Sequence, residues 1–304
     1  VCTGPQQEDI CELELELREG EPAALLELAI ELAAELPLMP CDISKAERGY
    51  RLFDAASYSL SLPAPDLLPE QALDDVFATL AWHLLGSSQR LAEQYRFNGH
   101  WKLLEQWLQQ LTDLRALLSS LGQAAPRASS HLLREALDAL LKDWRPLLQA
   151  GQQDAQRRQD APARFAEELG NTRWGHFSLQ ASLWLLQRQW VSTRNERGSR
   201  QGQAPLGKWL PRLLAAEVAD LPLKRYQQQP EDLAEQLPRI ERLLAWLRHA
   251  RQLTELPEVD RLYGELLKLE ELAHLPINAE QLAVRAMQAH TVTTLRAWRQ
   301  LSRS

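Results

Sequence analysis

Between Cys11 and Leu17 glutamate and leucine alternate strictly. In an extended chain that alternation puts Glu12, Glu14 and Glu16 on one face and Leu13, Leu15 and Leu17 on the other. Three carboxylates on one face repel, so water, arginines or a divalent cation must face them. Further on, Ile43-Ser-Lys-Ala-Glu-Arg-Gly-Tyr50 supplies the cations Lys45 and Arg48. Carboxylates that hold a divalent metal, beside cations that neutralise phosphoryl oxygens, are the equipment that hydrolysis of a triphosphate requires. Spacing alone also fits a half-buried strand with an acidic outer face.

The elements that must position these residues come in a definite order. After the acidic strand, Glu21 to Leu36 reads as a helix with Pro22 in its first turn, and the short segment with Lys45 and Arg48 follows. This order, with an E-x-E strand and an S-K-x-x-R-G-Y segment, resembles the C-terminal part of the CYTH domain, the triphosphate tunnel fold. It is similar in particular to bacterial inorganic triphosphatases in which a CYTH domain precedes an α-helical CHAD domain. The resemblance implies that Glu12 and Glu14, with Glu16 on the same face, are ligands of a divalent metal, Mg or Mn. It also implies catalytic contacts to phosphate from Lys45 and Arg48. The first tunnel strand of that family carries E-x-E-x-K, and no such motif stands before Cys11. The expectation is therefore that the chain starts inside the CYTH domain and does not turn over triphosphate alone.

Charge is divided unevenly. Residues 1–54 hold thirteen acids and four bases, a net −9, whereas the remainder holds 28 acids and 30 bases, a net +2. Of those 30 bases 25 are arginine, whose planar fork suits phosphate oxygens; a genome-wide codon bias would give the same excess. No apolar run reaches the roughly 20 residues that span a bilayer, so no membrane partner and a cytoplasmic location are expected. Three cysteines without C-x-x-C spacing argue against disulfides and zinc.

The prolines and serines of residues 55–69 read as a linker. Past it, eight stretches carry apolar residues at helical spacing: Glu70 to Tyr95, Gly99 to Leu121, Ala128 to Gln149, Ala161 to Trp190, Pro205 to Leu221, Pro230 to Leu253, Val259 to Ala273 and Ala279 to Leu301. One polar break, Gln152 to Gln159, separates two groups of four. The expected fold is mainly α. It consists of an eight-helix CHAD domain of two four-helix bundles over residues 70–304, preceded by a short β-α-β remnant of a CYTH triphosphate tunnel domain over residues 1–54. Most of the ten tryptophans are expected in the cores.

The resemblance implies a basic groove between the CHAD halves that binds inorganic polyphosphate or tripolyphosphate without a cofactor. Arg127, His131 and Arg134 fall at i, i+4 and i+7 beside a helix start, where anions are favoured. Of the family's histidine and arginine pattern on the first basic helix, Arg115 alone remains. Lys208 with Arg212, then Arg239, Arg242 and Arg248, would form a second wall. The histidines at 83, 100, 176, 274 and 290 are read as lacking a metal partner at i+3 or i+4. The basic stripe Arg296, Arg299 and Arg303 could meet nucleic acid, but a near-neutral second part speaks against it. Three readings result: a parent triphosphatase with a polyphosphate-binding helical domain, an enzyme like the class IV adenylate cyclases, and a helical scaffold that binds no phosphate.

Overall fold

Pro22, which fits a first helical turn because its missing N–H would be unbonded there anyway, opens the first helix of the computed structural model, α1 (Pro22–Glu35). The structure describes residues 2–3, 6–54, 60, 62–120, 126–275 and 277–303, and these are mainly helical. Strands β1 (Cys2–Thr3) and β2 (Gln6–Gln7) pair antiparallel. After α1 come α2 (Lys45–Phe53), α3 (Leu73–Asn98), α4 (Trp101–Ser120), α5 (His131–Gln153), α6 (Ala155–Leu169), α7 (Arg173–Leu186) and α8 (Gln189–Ser192). Then follow α9 (Glu196–Gly202), α10 (Leu206–Asp220), α11 (Leu223–Tyr226), α12 (Leu237–Ala250), α13 (Val259–His274), α14 (Ala279–Thr294) and α15 (Arg296–Leu301). Among the described residues no helix is long and apolar enough to cross a membrane.

Four sequence expectations are corrected. Residues 11–17 form no strand: they pair with no ladder, and Leu13 and Leu17 are 58% and 39% exposed instead of covered. A lone strand leaves its backbone groups and one apolar face unsatisfied, so the alternation has nothing to hold it flat. The closing segment of the expected β-α-β unit is likewise a helix, α2. Ser44 caps it by accepting from the Glu47 N–H at 3.1 Å, the Ser-x-x-Glu arrangement that starts helices. The polar stretch 152–159 is not a break but a junction one residue wide, where Asp154 accepts from the Gln156 and Arg157 amides and starts α6. The stretch expected as one helix from Ala161 to Trp190 divides at Gly170. Much of the expected linker, residues 55–59 and 61, lies outside the described residues, and 62–68 has no regular structure.

The chain forms two compact, discontinuous units: Val1–Pro63 with Trp82–Leu111 and His131–Gln189, and Ala64–Ala81 with Thr112–Ser130 and Trp190–Ser304. In the first unit α1 packs on α7, and an aromatic cluster fills the core. Trp107 meets Trp144, Phe165 and Trp174 edge to face, with centroids 5.6, 5.1 and 5.3 Å apart. In the second unit α12 packs on α10 and α13, α13 on α14, and α14 on α11. Asp74, 3% exposed, takes both arms of Arg194 at 2.7 and 2.6 Å and the Trp190 indole N–H at 3.3 Å. Buried tryptophans in both units agree with the expectation for most of that residue type.

One close approach in the first unit is testable. A Cβ at Gly175 of α7 would fall 1.7 Å from the carbonyl oxygen of Leu38, which belongs to the chain that leaves α1. Gly175→Ala is therefore expected to displace that segment and cost about 1–3 kcal/mol in urea denaturation. Gly86→Ala serves as the control. Nothing lies within 4 Å of its added methyl inside α3, and a gain of up to about 1 kcal/mol is expected. Equal effects of the two substitutions would contradict the packing described.

Candidate functional site

In the first unit a concentration of charged side chains lies where the irregular segment 9–15 and the segment 37–45 wall a cavity of about 720 Å³. Glu12, Glu14, Cys41, Lys45, Arg48 and Arg96 are among its lining residues. Lys45 stands in the first turn of α2, where Ser44 sets the helix start, and its Nζ lies 2.6 Å from Glu12 and 2.9 Å from Glu14. Hydrogen bonds with both glutamates push the Lys45 pKa up, and the hydrogen bond from Lys45 pushes that of Glu14 down. The carboxylates and the lysine expected to work together are thus in contact. Glu16 is exposed and is not part of the cavity wall.

Arg48 lies one turn further along α2 and is committed elsewhere. It is 6% exposed, makes a short ion pair with Glu8, donates to Glu93 at 2.7 Å and reaches the Cys41 sulfur at 3.3 Å. Arg51, fully buried at i+3, joins the same two carboxylates at 2.6 Å each and lies 3.9 Å over the Phe97 ring. Arg96 completes the set, 3.3 Å from Glu93 and 3.7 Å from Glu8. Three arginines thus share two glutamates. Burial alone would lower the pKa of Arg48 and Arg51, but the carboxylates around them raise it. Sequence reading missed Glu8, Arg51, Glu93 and Arg96. The available signal was Arg51 three residues after Arg48, together with a glutamate inside the apolar run Leu91-Ala92-Glu93.

In the second unit the expected basic wall is largely occupied by the protein's own acids. Arg239 donates to Asp220 at 3.1 Å and to Gln236 at 2.7 Å, and Arg242 donates to Glu217 at 2.8 Å and Asp220 at 2.7 Å. Burial raises the Glu217 pKa more than Arg242 lowers it. Arg248 makes a short ion pair with Asp113 and donates to the Tyr263 hydroxyl at 3.1 Å, while His249 lies 3.3 Å from the same aspartate. Arg115 makes a short hydrogen bond to Ser119. Lys208 and Arg212 are exposed one turn apart on α10.

The stripe expected from Arg127, His131 and Arg134 is corrected. Arg127 sits in a 3₁₀ turn, Arg127–Ser130, and α5 begins only at His131. Three residues per turn instead of 3.6 break the i, i+4, i+7 alignment. The turn belongs to the second unit, whereas His131 and Arg134 belong to the first. His131 is exposed and lies 3.3 Å from Glu135.

The sequence reading looked only at i+3 and i+4 from each histidine, and there it stands. His274 does have an acidic partner one turn away on its own helix, Glu270 at i−4, and the fold adds Glu241 of α12 to the pair. No known family model matches this chain.

Proposed function

We propose that the chain carries part of a metal-assisted triphosphate site in its first unit. The protein to which it belongs is read as an inorganic triphosphatase of the CYTH-CHAD type. The observation that carries the reading is the contact of Lys45 with Glu12 and Glu14 at the cavity wall. Two carboxylates within reach of one ammonium are a set of hard oxygen donors, which suits Mg²⁺ or Mn²⁺. Glu12 and Glu14 would hold such an ion, which when bound would neutralise charge on phosphoryl oxygens. Lys45, 61% exposed, is free to exchange its carboxylates for phosphate oxygens. Arg48 and Arg96 contribute a fixed positive field from the wall, since both are engaged with Glu93.

Calorimetric titration with tripolyphosphate in the presence of Mn²⁺ tests this. Lys45→Ala is expected to weaken binding by about tenfold or more, the loss typical of one charged hydrogen bond. Lys224→Ala, at an exposed lysine of the other unit, is expected to leave it unchanged. Equal affinity for wild type and Lys45→Ala would overturn the proposal. Preference for ATP over tripolyphosphate would favour the cyclase-like reading.

For the second unit the helical scaffold gains from a specific observation: Arg239, Arg242 and Arg248 are held by Asp220, Glu217 and Asp113. Binding of polyphosphate there rests on Lys208 and Arg212, and each arginine already paired would first have to leave its carboxylate.

A further inference from the structure

We infer that the second unit holds a divalent transition-metal site formed by Glu241 of α12 with Glu270 and His274 of α13. One ligand atom from each lies within 4.8 Å of the others. Glu270 and His274 are four residues apart on one helix, so both side chains leave the same face one above the other. The packing of α13 on α12 brings Glu241 to that face. Glu241 is 8% exposed and the other two are half-buried. Two glutamate oxygens and an imidazole nitrogen converge where two helices pack, a donor set of the kind that binds divalent transition metals.

The donor set selects the ion. Mg²⁺ and Ca²⁺ favour oxygen donors, whereas an imidazole nitrogen with two carboxylates suits Zn²⁺, which binds such ligands more tightly than Mn²⁺. Tetrahedral bonds of about 2.0–2.2 Å place donors about 3.4 Å apart, so rotation of the two glutamate side chains must close the remaining distance. Three protein ligands would leave a fourth position for water.

The frame for such a site is rigid. Arg285 of α14, 1% exposed, donates to the carbonyls of Leu272 at 3.0 Å and Leu275 at 2.6 Å, and so fixes the last turn of α13, where His274 stands. Gln288 of α14 donates to Glu265 of α13 through both its backbone and side-chain oxygens, at 2.8 Å each. The site lies in the second unit and the triphosphate proposal concerns the first, so each stands or falls without the other.

The test is titration of the full, metal-free chain with ZnCl₂, read by calorimetry and by thermal melting. Expected are one equivalent bound through these residues and a melting point that rises with Zn²⁺. His274→Ala and Glu270→Gln should each weaken that event by tenfold or more, and Glu12→Gln with Glu14→Gln should leave it intact. Absence of any Zn²⁺-dependent rise in the wild-type melting point would overturn the inference. So would an unchanged affinity in His274→Ala or in the milder His274→Gln, with metal-free melts that match wild type.

Discussion

Replacement of Glu93 by alanine is expected to cost about 3–5 kcal/mol of stability, the range found when one partner of a buried ion pair is removed. Glu93 is fully buried on α3 and accepts from Arg51 at 2.6 and 3.0 Å and from Arg48 at 2.7 Å. Its loss leaves two buried guanidinium groups to share Glu8 alone. Chemical denaturation measures the effect, and a loss below about 1 kcal/mol would show that the network is not compensating buried charge. The double variant Glu93→Leu with Arg51→Met is expected to lose less than Glu93→Ala, because Arg48 and Glu8 then remain as a balanced pair.

The same carboxyl makes a pH prediction. Burial opposes its ionisation, but hydrogen bonds from Arg51 and the charges of Arg51, Arg48 and Arg96 prevail, so its pKa lies below the usual 4.5. A carboxyl depressed by folding contributes stability above its unfolded pKa, and that contribution disappears as pH falls through the lower folded value. Wild type should therefore lose stability below about pH 4.5 more steeply than Glu93→Ala does.

Trp107→Ala is the second large effect, about 3–5 kcal/mol by loss of transfer energy and the cavity left behind. The side chain is 0% exposed and touches three other aromatic rings edge to face. Such contacts add about 0.5–1.5 kcal/mol per pair beyond buried area. Trp107→Phe should cost much less, since the Trp107 indole N–H is buried without a protein acceptor among the described residues, and phenylalanine discards that donor. Denaturant midpoints and near-ultraviolet circular dichroism would register both substitutions. Trp82→Ala, at a side chain 40% exposed, is the comparison expected to change stability least.

Helical character was legible because it is local. Leucine at i, i+3 and i+4 and proline at position 22 act within one or two turns of chain. The Ser44 to Glu47 capping signal was in the sequence as well, yet the expectation of a closing β-segment masked it. Alternation at 11–17 gave a false strand because periodicity specifies two faces and supplies no partner.

What the sequence by itself determined is thus the set of local elements, the mainly helical class, the uneven charge and the residue types near the cavity. The tertiary structure alone decided which charges are neutralised and by whom. Arg51 and Glu93 are 42 residues apart, and Arg248 and Asp113 are 135 apart. Glu241 stands on a different helix from Glu270 and His274. An arginine has the same composition whether it faces a phosphate or its own glutamate. Only packing at that distance removes it from water and chooses its partner, because the cost of burying a charge depends on every group around it.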